Sequence, residues 1–167
     1  MSNSNLKSSY YGLILILSII GTILFTFTDF GGYVSGIYSY AYSISLESSF
    51  SNPDLLIFAP LFVLVIFLFL INIFLPLKEL NLIKTSSSNN SAKIGFYSSL
   101  IIFIISAIGG VSFEVILSES GAISWWFDAA FYAGIIGGIL LPILYYLIMK
   151  NSRAIPPPPP PPPSSIV

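Results

Sequence analysis

Four long apolar runs limit this chain to one kind of fold. They cover residues 10–28, 54–77, 94–117 and 125–149. Each approaches or exceeds the roughly 20 residues a helix needs to cross a bilayer. The strands of a membrane barrel would alternate over about ten residues. These runs are continuous instead, as in Leu61-Phe62-Val63-Leu64-Val65-Ile66-Phe67-Leu68. In hydrocarbon a helix satisfies its backbone polar groups within its own segment. The expected fold is therefore an all-α membrane protein, a four-transmembrane-helix bundle over 10–149. Residues 1–9 are expected to be a disordered N-terminus, and 150–167 a disordered cytoplasmic polyproline tail. Composition agrees: 55% of residues are hydrophobic and only 8% charged, against roughly 25% charged in a soluble domain.

The first run follows Lys7, as a signal peptide would. It is longer than a usual h-region, and no small-x-small cleavage site closes it, so it is read as a retained span. Gly31-Gly32 closes it. Asn52-Pro53-Asp54 reads as N-cap, first-turn proline and first-turn acid for span two. Ser124 is the expected cap of span four. A polar linker, 84–91, joins spans two and three.

Charge orients the bundle. With four spans, Lys7, Lys78, Lys84, Lys93, Lys150 and Arg153 all fall on one side. Random sides would give that about one time in thirty, and the positive side is the cytoplasmic one. Both termini and the 84–91 linker are thus expected inside. Loops 29–53 and 118–124 face out, as an integral multi-pass protein of the plasma membrane or another cellular membrane. Tyr10, Tyr11, Tyr97, Tyr145 and Tyr146 fall at the inner interface, and Trp125 and Trp126 at the outer one, as an aromatic belt.

The chain has no His and no Cys. Imidazole and thiol catalysis, Cys/His zinc sites and disulfides are thereby excluded. A net charge of -1 argues against nucleic-acid binding. There is no Walker-type loop and no Gly-x-Ser-x-Gly elbow. No enzymatic activity, cofactor or metal is expected.

Lipid is as apolar as Leu, so small and polar residues are expected to join the helices. Span four carries Ala130, Gly134, Gly138 and Pro142 at four-residue steps. Span three carries Ser106, Gly110, Glu114 and Ser118, and span one Ser18, Thr22 and Thr26, with Asp29 beyond. Spans one, three and four are expected to pack by these stripes. Span two, with little polar before Asn72, is expected to show much of its surface to lipid. Glu114, about one turn inside the outer end of span three, has two readings. It is a solvated interfacial acid, or it forms a proton or cation site with Asp29, since paired carboxylates raise one pKa.

In loop one, Tyr38, Tyr40, Tyr42, Ile44 and Leu46 alternate with smaller residues, which predicts an extended, strand-like segment. Its tyrosines supply either a partner-binding face or packing onto the bundle. A long first outer loop with strand character, a short second one and both termini inside is similar to the plan of claudin-like tetraspan proteins. The resemblance covers topology and no motif. That family's first loop carries a Trp/Gly/Leu motif with two cysteines. Here there is no Cys, and both Trp lie in the other loop. Tetraspanins place a large cysteine-filled loop second, which this chain also lacks.

The tail runs from Ile155 through Pro156, Pro157, Pro158, Pro159, Pro160, Pro161, Pro162 and Pro163 to a final Ser-Ser-Ile-Val. Eight prolines form polyproline II, a rod of about 25 Å. It is a preformed ligand for SH3, WW, EVH1 or profilin-type grooves, or else a spacer. The last three residues resemble a PDZ ligand. The expected function is a non-catalytic membrane organiser, anchor or complex subunit, possessing lipid contacts, tail partners and homo-oligomer contacts. The alternative is a small ion or proton channel or transporter subunit using Glu114 and Asp29.

Overall fold

A computed structural model of the chain describes residues 3–35, 41–84, 90–119 and 122–153. The elements are α1 (Asn3–Phe27), β1 (Gly31–Ser35), β2 (Ala41–Ile44), α2 (Leu46–Ser51), a 3-10 helix (Pro53–Phe58), α3 (Ala59–Glu79), α4 (Ser91–Glu119), β3 (Ala122–Phe127) and α5 (Ala129–Arg153). The helices α1, α3, α4 and α5 are long and apolar enough to cross a membrane. Each packs on the next in sequence, and α5 returns to α1, closing a ring of four. Both ends of the helical chain and the turn after α3 lie at one end of the bundle, called the terminal end here. The strands lie at the other, the sheet end.

Helix limits differ from the hydropathy runs because hydropathy marks the apolar stretch and not the hydrogen-bonded one. Helix α1 begins at Asn3, so residues 3–9 are helical where disorder was expected. Ser9 Oγ donates to the Asn5 carbonyl (3.0 Å), and Lys7 pairs with Glu79 of α3 at 3.8 Å. Asn52-Pro53 opens the 3-10 turn and not α3, whose first turn instead holds Pro60 after Phe58. Past the end of α3, Asn81 takes a left-handed conformation (φ 57°), which Asn tolerates better than most residues. Its N–H donates to the Lys78 carbonyl and that of Leu82 to Leu77, so the end of the helix is capped.

A three-stranded antiparallel sheet in the order β2-β1-β3 covers the sheet end. Loop one supplies β1 and β2, and loop two supplies β3. Tyr33 pairs with Tyr42 on one side and Trp125 on the other. The Tyr33 and Tyr42 rings stack at 5.2 Å. Three sequence expectations are corrected here. Gly31-Gly32 does not merely end a span; it begins the central strand. Ser124 does not cap span four; it lies in β3, opposite Val34. Residues 125–127, assigned to span four, belong to the same strand, and α5 starts at Ala129. Strand β2 falls within the alternating stretch of loop one, but the alternation stops at Ser45. Ser45 and Ser48 form a capping box that starts α2: Ser48 N donates to Ser45 Oγ (3.2 Å) and Ser45 N to Ser48 Oγ (2.7 Å). Tyr38 and Tyr40 lie outside the described residues.

The sheet continues into the bundle through its backbone. Phe30 N donates to the Ile44 carbonyl, Asp128 N to Phe30, and Ala130 N to Asp29. Asp128 Oδ1 accepts from Ala129 N at 2.7 Å. The first N–H groups of a helix have no intrahelical partner. Here two of them are satisfied by an acid side chain and by the α1–β1 connection, which ties the start of α5 to the exit of α1.

Span two was expected to show much of its surface to lipid; Val63, Leu64, Phe67, Leu70 and Phe74 are exposed, but this does not set it apart from the other helices. In its apolar window α3 is 39% buried, more than α1 at 28%. Val65 is 1% exposed and Phe69 is fully buried. Small-residue hollows need large side chains to fill them. Phe69 of α3 fills two at once, lying against Gly21 of α1 and Gly137 of α5. Gly21 and Gly137, which lie outside the expected stripes, therefore bring α3 in.

Candidate functional site

At the terminal end a polar cluster is built by all four long helices. Asn72, fully buried on α3, donates from Nδ2 to the Leu68 carbonyl (2.8 Å) and to Ser98 Oγ of α4 (2.9 Å). Ser98 and Ser99 donate to the Gly95 carbonyl at 3.0 and 2.7 Å. The Tyr145 ring of α5 lies on Gly95, where a Cβ would overlap it. Only glycine there lets the ring enter. Tyr11 of α1 meets Tyr145 edge-on at 6.5 Å, and Lys7 lies 5.8 Å from the centre of the Tyr11 ring. The Lys7–Glu79 pair closes the cluster towards the bundle end. Asn72 Oδ1 and Tyr145 Oη are buried without a hydrogen-bond partner. The cluster offers one acceptor and one hydroxyl in the bundle interior, where unpaired polar groups are costly.

The sheet end is built from rings. Phe30 touches Phe25, Phe62, Phe113, Phe127 and Phe131, with centroids 5.4 to 6.5 Å apart. Phe127 and Phe131 stack at 3.9 Å across the β3–α5 junction. A Cβ on Gly31 would lie 2.6 Å from the Trp126 carbonyl oxygen, and one on Gly32 would strike the Trp126 ring. The glycine pair thus lets β3 approach. A cavity of about 20 Å³ lies among Phe25, Phe30, Phe62, Val65 and Ser106. That is room for about one water, but a water needs two to four polar partners, and Ser106 is the sole polar side chain lining it.

The predicted residues fall as follows. Ala130, Gly134, Gly138 and Pro142 are all buried on α5. Gly134 abuts Ser106, and a Cβ on Gly138 would lie 2.6 Å from Cα of Phe103. Gly110 of α4 receives the Phe131 ring. Ser106 and Gly110 are buried, whereas Glu114 and Ser118 on the same expected stripe are exposed. A strict four-residue step advances about 40° per step around a helix, because each residue turns about 100°. The stripe therefore rotates out of the interface, and Phe113 and Leu117 take the inner face instead. On α1, Ser18 is buried, while Thr22 and Thr26 bond back to the carbonyls of Ser18 and Thr22. Asp29 is half-buried, at the exit of α1. Tyr145, expected at an interface, is fully buried and was missed as a cluster member. The signal that could have found it was Asn72, the lone amide in span two, at the same depth as Ser98 and Ser99. The tail residues Ile155 to Pro163 lie outside the described residues. No group of three or more His, Cys, Asp or Glu side chains that could hold a metal occurs among the described residues.

No protein-family model, curated protein or solved structure matches the chain.

Proposed function

We propose that the chain is a four-pass membrane protein without enzymatic activity that organises or anchors other proteins. Its termini and the turn between α3 and α4 are cytoplasmic, and its sheet stands on the opposite side. The supporting observation is the sheet end itself, which carries apolar side chains beyond the spans. Ile123 is 70% exposed and Phe50 60%, with Tyr42 and Trp126 also exposed. Aromatic side chains of this kind supply contact area at low entropic cost. The basic residues Lys7, Lys78, Lys84, Lys93 and Lys150 lie at the other end, which agrees with a cytoplasmic terminal end. The tail continues from that end as a polyproline ligand.

The protein has no Cys, so single cysteines report topology cleanly. In intact cells an impermeant maleimide is expected to label Ser43→Cys and Ser124→Cys and to spare Lys84→Cys. The reverse pattern would invert the orientation. A peptide of residues 150–167 is expected to bind purified profilin or an SH3, WW or EVH1 domain at roughly micromolar to hundreds of micromolar Kd, because little area is buried. Alanine at alternate prolines of Pro156 to Pro163 is expected to abolish binding. Absence of binding to all four classes makes the tail a spacer and moves the anchoring role to the sheet end.

A further inference from the structure

We infer that the groove between α1 and α5 holds one acyl chain of a glycerophospholipid with a cationic ammonium in its headgroup. The inference rests on the membrane-spanning reading. The groove has a volume of about 290 Å³ and is lined by Leu17, Ile20 and Leu24 of α1 and Tyr132, Ala133 and Ile136 of α5, with Gly21 and Gly137 in its floor. Ile20, Tyr132 and Ile136 are exposed along its rims. The floor glycines do not fill it, because Phe69 presses on both from inside.

Length and charge select the occupant. Residues 17 to 24 of α1 cover only about 10 Å at 1.5 Å per residue. The hydrocarbon of one leaflet is about 15 Å deep, half the bilayer core of about 30 Å. Towards the terminal end, Tyr11 and Tyr145 bring α1 and α5 together. A helix from a second copy is itself about 10 Å wide and would run the whole membrane depth, so a groove this short cannot seat it lengthwise. An acyl chain in the sheet-side leaflet fits. Next to the open end stand Asp29 and Asp128, both half-buried: Ala129 lines the groove, Asp128 Oδ1 accepts from Ala129 N, and Ala130 N donates to the Asp29 backbone carbonyl. All six basic residues belong to the opposite end. Two carboxylates with no cation nearby favour a choline or ethanolamine head and disfavour an anionic one.

Native mass spectrometry of the full chain, released from vesicles of palmitoyl-oleoyl phosphatidylcholine and phosphatidylglycerol in equal parts, tests this. One retained phosphatidylcholine is expected, about tenfold over phosphatidylglycerol. Ala133→Phe fills the groove and is expected to remove the adduct. Ile20→Ala with Ile136→Ala, on the exposed rims, is expected to weaken it without unfolding the bundle. Asp29→Asn with Asp128→Asn keeps a capping oxygen and is expected to erase the headgroup preference while leaving the chain bound. Equal retention of both lipids by the native protein, or an adduct unchanged in Ala133→Phe and in the rim variant, overturns the inference. So does a dimer that Ala133→Phe dissociates. Failure of the protein to sediment with the vesicles would instead remove the membrane-spanning reading itself.

Discussion

At the sheet end, Phe30 meets five other rings, and the strands hydrogen-bond through their backbones. At the terminal end, Asn72 bridges α3 to α4 through Ser98, and Tyr145 lies over Gly95 with its hydroxyl unpartnered. The two halves of one bundle thus hold their helices by different means. The difference follows from what each half must accommodate. The sheet end joins helices to strands, so large rings fill the irregular space between them. The terminal end joins helix to helix directly, so Gly95 admits the Tyr145 ring and a few polar groups set which faces meet. Packing should therefore dominate stability at the sheet end, and specificity of helix contact should dominate at the terminal end.

The largest expected effect comes from removing a ring. Phe30→Ala empties the centre of the aromatic cluster and is expected to destabilise the protein by about 3 kcal/mol, read from denaturant unfolding in micelles. A loss under about 1 kcal/mol would mean that the rings do not carry the sheet end. Next in size is overpacking of the terminal end. Gly95→Ala puts a methyl into the Tyr145 ring and is expected to cost about 1–3 kcal/mol, while Gly12→Ala, which meets nothing within 4 Å and gains helix propensity, does not lower the melting temperature. Equal melting of the two variants would break the argument for ring entry at Gly95.

A smaller effect is expected at Asn72. Asn72→Leu preserves bulk and removes one interhelical hydrogen bond, and such bonds in membranes average about 0.6 kcal/mol. A loss as large as that of Phe30→Ala would reverse the comparison and place the main stabilisation in the polar cluster. The smallest effect is at the bundle end. Lys7 is 45% exposed in its pair with Glu79. Lys7→Gln is expected to cost under about 0.5 kcal/mol, and less still at high salt. A salt-independent loss above 1 kcal/mol would show that the pair is shielded and structural.

The four long apolar helices were legible in the amino-acid sequence because hydropathy over about 20 residues is a property of composition, and that length is the one a bilayer crossing needs. On α5, Gly138 lies against the Phe103 backbone and Gly134 against the Ser106 side chain, contacts that only small residues permit. What a linear pattern does not contain is rotation and partnership. Glu114 and Phe113 are neighbours in the chain, and the face each takes depends on the drift of α4 against α3 and α5, which no single helix specifies. Strand β1 is five residues, two of them glycine, and has no alternation to announce it. It exists because β3, from ninety residues away, and β2 supply its hydrogen-bond partners. Phe69 reads from sequence as one more apolar side chain in an apolar run. Only the assembled bundle makes it the residue that fills two glycine hollows on two other helices.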